Sequence, residues 1–151
     1  MRFFVIFLFL GTPLLSASIY AEEVYLTCTV TQITASEKTG KTDAKLKKII
    51  PFIKKDESFN AYQSFRSKKT KTLSATKKKK ASIKLINGKK FSLKPVSVVR
   101  AHRQNTVTLD VSLDGNSENK SFIDRKYLLM KAGDIPKGGT LILAVTCPVF
   151  P

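Results

Sequence analysis

Histidine, cysteine and long apolar runs are scarce in this chain, and acid is scarce where base is most abundant. The one histidine, His102, stands between Arg100 and Arg103, with no serine, cysteine or carboxylate at a spacing that would make a nucleophile and base pair. It reads as a surface residue of a basic loop. No catalytic residue is therefore assigned, and no enzyme is expected. Two cysteines and one histidine fall short of a four-ligand metal set, so no metal or other cofactor is expected. The cysteines also lack the Cys-x-x-Cys spacing of a redox pair. Past the first 21 residues no apolar run is long enough to span a bilayer.

The scarcity of acid is local. Lys38 to Arg103 hold 21 Lys or Arg against Asp43, Asp56 and Glu57, a net charge of +18 on 66 residues, while the rest of the chain is close to neutral or acidic. A field concentrated in this way raises the local concentration of polyanions and makes an anionic partner the first candidate.

The N-terminal segment reads as a secretory signal over 1–21. Arg2 supplies a positive start, Phe3 to Leu10 is uninterrupted apolar sequence, Gly11 and Pro13 break the helix, and small residues lead to Ala21. Cleavage there leaves Glu22 as the first residue. An uncleaved anchor is the competing reading, but Pro13, Ser16 and Ser18 interrupt the run of roughly 20 apolar residues that spanning requires. Cys28 follows Tyr25-Leu26-Thr27, which is not the small-residue approach to a lipid anchor. The expectation is an exported, soluble protein, periplasmic or secreted, with one β-rich domain over 22–151 and no transmembrane segment after cleavage. Its 26 basic and 11 acidic residues leave a net +15.

Cys28 and Cys147 lie near the two ends of that domain, and in an exported chain an even pair reads first as a disulfide. Val24, Leu26, Cys28 and Val30 alternate with Tyr25, Thr27 and Thr29; Leu141, Leu143, Val145 and Cys147 alternate with Ile142, Ala144 and Thr146. Successive side chains on a strand point to opposite faces, so both cysteines belong to the more aliphatic face and can look into one core. First and last strands should then be neighbours or lie on facing sheets.

Between the cysteines, Thr42-Asp43 followed by Leu46, Ile49, Ile50 and Ile53 predicts one short amphipathic helix, which Pro51 should end or kink. Lys45, Lys47, Lys48, Lys54 and Lys55 line its outer side; its apolar side covers an edge of the sheet or, in a competing reading, meets a membrane surface. Phe59, Tyr62 and Phe65 begin an aromatic segment. Ala81 to Leu85 and Phe91 to Val98 flank Asn87-Gly88, Val107 to Leu113 alternate before Asp114-Gly115-Asn116, and Phe122 to Lys131 precede the Gly133 to Gly139 turn region and a last strand, Thr140 to Cys147. Short strands at this spacing predict a mainly β fold, an antiparallel β-sandwich or open barrel. Asn-Gly usually marks a two-residue hairpin loop, yet such a loop would set lysines opposite Leu85 and Phe91. A three-residue loop, a type I turn with a glycine bulge, puts Ile83, Leu85, Phe91 and Leu93 on one face.

On that hairpin Lys84, Lys90 and Lys94 share the outward face with Ser82 and Ser92. Lys77, Lys78, Lys79 and Lys80 precede it, and Lys68, Lys69 and Lys71 precede those. These ten lysines form the candidate anionic-surface-binding set. Anionic lipid headgroups, cell-wall polymer or an acidic protein are its expected partners. Nucleic acid ranks behind them, because arginines are few, no known nucleic-acid motif is present, and Phe59, Tyr62, Phe65 and Phe91 read as core.

From Asp43 to Cys147 the segments DAKLKKIIPFIKK, YQSF, IKLINGKKFSLKPVSV, VTLDVSL and YLLMKAGDIPKGGTLILAV resemble an uncharacterised group of small exported bacterial proteins associated with delta-proteobacteria and related lineages. The resemblance implies a short proline-containing helix leading into a β domain; it brings no activity, cofactor or site residue. Together these readings predict an exported, non-enzymatic binding module with a lysine-rich face. The alternative is a structural or accessory subunit of a cell-envelope assembly, in which the basic face only aids solubility.

Overall fold

A computed structural model of the chain describes residues 23–150. The expected signal segment, 1–21, lies outside the described residues. Eight strands follow one another as β1 (Tyr25–Ser36), β2 (Ser64–Thr76), β3 (Ala81–Lys84), β4 (Lys90–Val99), β5 (Thr106–Leu113), β6 (Asn116–Ile123), β7 (Leu128–Asp134) and β8 (Thr140–Thr146), with one short helix, α1 (Ile50–Lys55), between β1 and β2. They form two antiparallel sheets of four strands, ordered β2-β1-β8-β7 and β3-β4-β5-β6. Within each sheet, strands that follow each other in sequence stand beside each other, and β8 returns to β1. The chain passes from one sheet to the other at β2–β3 and again at β6–β7. The fold is mainly β, as the strand spacing predicts, and has the form of a sandwich.

The alternation in the terminal strands explains the core. Leu26, Cys28 and Val30 of β1 and Leu141, Leu143 and Val145 of β8 are buried together with Phe91 and Leu93 of β4 and Val107, Leu109 and Val111 of β5. The pairing of Thr29 with Thr146 brings Cys28 and Cys147 face to face just beyond it, Cα–Cα 4.2 Å, with their sulfurs at bonding distance. Both are fully buried. The first and last strands are thus neighbours in one sheet.

The residues of opposite parity make a second, smaller core on the outside of the same sheet. Ile33 and Ala35 of β1 and Ile142 and Ala144 of β8 are covered by Leu46, Ile49, Ile53 and Phe59, with Phe65 of β2 beside them. The covering segment is less regular than the single helix the spacing predicts. Asp43 Oδ1 accepts the Lys45 N–H at 3.0 Å and starts a 3-10 turn over Ala44–Leu46; α1 follows; Asp56 Oδ1 accepts the Ser58 N–H at 3.0 Å and starts another over Glu57–Phe59. Pro51 opens α1 where it was expected to end a helix. Amide groups in a first helical turn have no carbonyl partner four residues back, so the missing N–H costs nothing there. The apolar side of this segment covers a sheet face, not an edge, which accounts for its hydrophobicity without a membrane.

The two glycine turns that flank β4 and β5 differ as their parity demands. Leu85 N–H donates to Lys89 O at 2.8 Å, Gly88 N–H donates to Leu85 O at 3.0 Å, and Gly88 has φ +86. This is the predicted three-residue loop with a glycine bulge, and Ile83, Leu85, Phe91 and Leu93 are all buried. Asp114 and Gly115, with φ 49 and 88, instead make a two-residue loop between the paired Leu113 and Asn116. That is the primed turn for which Asp-Gly is suited. The β3–β4 tip closes one end of the sandwich: buried Gln32 Oε1 accepts the Ile86 N–H at 2.8 Å, and Asn87 Nδ2 donates to Ala132 O at 2.8 Å. At the β7–β8 turn Gly139 runs so close to β1 that a Cβ there would lie 2.7 Å from Ala35 O.

Two expectations need correction. Phe59 lies in a 3-10 turn, and the strand that follows it, β2, begins only at Ser64. The stretch from Phe122 to Lys131 is not one strand; a turn with Arg125 at φ 61 separates β6 from β7. Residues that belong to neither apolar face, such as Asn116 to Ser121, are drawn into a strand by the backbone of β5.

Candidate functional site: a lysine-lined edge and sheet face

β2 and β3 are the edge strands of their respective sheets, joined by a tight turn in which Thr76 and Lys79 exchange backbone hydrogen bonds at 2.9 and 3.2 Å. Nine of the ten candidate lysines lie on these strands, on that turn or at the start of the β3–β4 hairpin's return, and Lys94 lies further along β4.

The candidates divide into two groups. Lys69 stands opposite Gln32 and Lys71 opposite Val30, on the side of β2 that faces the second sheet; Leu73 and Ala75, further along the same side, are buried, while both lysines are exposed. Lys68 is the extra residue of a bulge that shifts the register between Gln32 and Ile33. A bulge and inward-pointing charge are standard ways of keeping an edge strand from pairing with another chain. Lys77 to Lys80 are exposed on the turn.

The second group lies on the outer face of β3 and β4, which no helix covers. Lys84 pairs with Lys90, and Lys94 pairs with Asp110. Like charges directly opposite each other repel, so the Lys84–Lys90 pair costs stability unless an anion sits beside it. Ser82 and Ser92, which share this face as expected, are continued by Ser112 of β5 and Ser117 of β6. Nothing in the sequence announces those two, because only strand register sets them in line. A shallow cavity of about 150 Å³ opens at this point, bounded by Lys80, Lys94, Asp110 and three of the serines.

The acids of the basic block do not neutralise it. Asp43 and Asp56 cap 3-10 turns, and the one ion pair among the described residues, Lys120 to Glu118 at 3.0 Å, lies on β6 at the far side of the sandwich. Two basic side chains outside the candidate set do meet partners of another kind: Lys131 lies over the rings of Phe59 and Tyr62 at 5.7 and 5.4 Å, and Lys126 over Phe52 at 5.6 Å. Phe59, Phe65 and Phe91 are buried, so they offer no stacking platform; Tyr62 is half-buried and its hydroxyl donates to Thr140 Oγ1 at 2.9 Å.

His102 lies on the β4–β5 loop, in a surface hollow that Arg103, Asp124 and Arg125 also line. Asp124 Oδ2 there accepts a hydrogen bond from Asn105 Nδ2 at 3.3 Å. Among the described residues no group of three His, Cys, Asp or Glu side chains is placed to hold a metal ion, and no helix is long and apolar enough to cross a membrane. The chain matches no protein-family model, no curated protein and no solved structure.

Proposed function

We propose that the protein is an exported, non-enzymatic binding module, small and of bacterial origin, that uses its lysine-lined edge and the adjoining sheet face against an anionic surface of the cell envelope or an acidic partner. The observation that carries this reading is the surplus of uncompensated charge. Lys68, Lys69, Lys71, Lys77 to Lys80, Lys84 and Lys90 are exposed along one side of the sandwich, and among the described residues none of them forms an ion pair with an acid. The apolar Phe3 to Leu10 run and the paired cysteines support export, since a buried disulfide persists in an oxidising compartment.

A structural subunit that pairs through its edges fits less well. The inward lysines and the bulge of β2 discourage strand addition at the edge where the charge lies. The test is co-sedimentation with vesicles containing phosphatidylglycerol across a range of salt. Binding that weakens steeply from low to high salt is expected, because exposed charges are screened beyond about 10 Å at 0.1 M. Binding indifferent to salt, or none to vesicles, cell-wall polymer or acidic protein, would overturn the reading.

A further inference from the structure

The four serines and the lysines around them form a second ordered surface on the same molecule. Ser82, Ser92, Ser112 and Ser117 are direct partners from strand to strand, so their side chains form one straight row across all four strands of the second sheet. At about 4.8 Å per strand the row is roughly 14 Å long. Lys84 and Lys90 stand two residues away on one side of it and Lys94 two residues away on the other, each displaced by about 7 Å along its strand, and Lys80, from the turn before β3, lines the same cavity as Lys94. The centre of the track is neutral and hydroxyl-lined, and its flanks are cationic. Asp110 faces Lys94 and lowers the charge on that flank, leaving the Lys84–Lys90 side the stronger.

Three other cross-strand hydroxyl pairs are hydrogen-bonded to each other: Thr27 with Ser74 at 3.3 Å, Thr70 with Thr31 at 3.4 Å, and Thr108 with Ser121 at 2.8 Å. Among the described residues the serine row makes no such bonds. Ser92, at its middle, is only 8% exposed and forms part of the wall of the 150 Å³ cavity.

We propose that this row is a subsite for an acidic polysaccharide, one whose sugar hydroxyls meet the serines and whose carboxylates or phosphates meet the flanking lysines. The inference rests on the anionic-surface reading above and narrows it. A serine both donates and accepts, which suits the hydroxyls of a sugar ring. A lipid headgroup layer would use the whole basic edge and have no need of the row, and a nucleic acid would want aromatic side chains to stack on, of which this face has none.

The probe is a uronic acid oligomer of six to eight sugars, with phosphatidylglycerol vesicles as the comparison, both measured by titration at fixed salt. S92V combined with S112V keeps the charge and removes two hydroxyls from the middle of the row; the expected result is about a tenfold loss for the oligomer and no change for vesicles. K84Q with K90Q relieves a like-charge pair and so keeps the fold intact should the serine variant lose it; it too is expected to weaken the oligomer about tenfold or more. A variant of Lys68, Lys69 and Lys71 to Gln is expected to do the reverse, losing vesicles and keeping the oligomer. If the folded wild type binds vesicles but not the oligomer, or if K84Q with K90Q binds the oligomer as the wild type does, the subsite is overturned and the anionic-surface reading stands. If it binds neither the oligomer nor vesicles, cell-wall polymer or acidic protein, both fall.

Discussion

The two lateral edges of the sandwich face the same hazard with different charge. On the β2 edge, Lys69 and Lys71 point toward the interior side of their sheet with no acid to pair with; on the β6 edge, Glu118 and Lys120 stand opposite the buried Val111 and Leu109, also on the interior side, and pair with each other at 3.0 Å. Both arrangements leave a desolvation penalty for any strand that tries to join. The β6 edge shows that the task is achieved with no net charge. The surplus on β2, on the following turn and on β3 therefore exceeds what edge protection requires, and this excess is what the proposed anionic partner explains.

The staple between the two edges gives the largest expected effect. Cys28 and Cys147 close a loop of 119 residues, so replacing both by Ala should lower stability by roughly 4 to 5 kcal/mol in the chain-entropy account, read as a fall in Tm or in denaturation midpoint. The charge on either edge is untouched, so binding to anionic vesicles by whatever protein remains folded should keep its salt dependence. If the double variant loses little stability, the joined terminal strands are not the main constraint on the unfolded chain.

The second test separates the two duties of the β2 lysines. K69V with K71V should produce self-association in sedimentation velocity, and E118V with K120V should do the same from the other edge. K69E with K71E keeps inward charge, so it should stay monomeric while vesicle binding falls by about tenfold or more, at about 1 kcal/mol for each lysine removed near an anionic surface. If the valine variants remain monomeric, inward charge is not what guards these edges. If the glutamate variant binds vesicles undiminished, the surplus charge on β2 has no part in binding.

The smallest effect lies where β1 begins beneath the end of β2. The hydroxyl of Ser74, and after it that of Thr27, hydrogen-bonds the Tyr25 phenol and holds its pKa below the ordinary 10.0. A depressed pKa favours the folded state above the unfolded value, and the benefit is lost as pH falls through the folded one, so any trace in stability is confined to alkaline pH. Ser74→Ala should move the ultraviolet titration of Tyr25 upward toward 10, and Thr27→Val should do so by less. A titration unchanged by Ser74→Ala would show that the two hydroxyls are not its cause.

The interior strands were legible because burial leaves a mark on composition. β1, β4, β5 and β8 each alternate, and the conflict between lysines and apolar residues at Asn87-Gly88 was enough to predict a three-residue loop. β2 and β6 left no comparable mark. Their side chains are largely polar and exposed, and they are strands because a neighbouring strand offers hydrogen bonds to their backbones. Pro51 misled for a related reason: its effect depends on whether it falls in the first turn of a helix or later, and the irregular segment after Asp43 places it in the first turn. The candidate lysines could be named from sequence, but their division into an edge group and a face group could not, because register alone decides which residues stand side by side.

What the sequence by itself determined, then, is the mainly β class, the cysteine pair, the turn geometry at Asn87-Gly88 and the presence of a block of base without matching acid. Each follows from local rules: period-two burial, turn conformation and charge counting. Only the tertiary structure decided that β2 and β3 are edges, that the helical segment covers a sheet face, and that Ser82, Ser92, Ser112 and Ser117 fall in one row between lysines. Those depend on contacts between residues far apart in the chain, which arise when two faces of one sheet and one face of the other are buried at once.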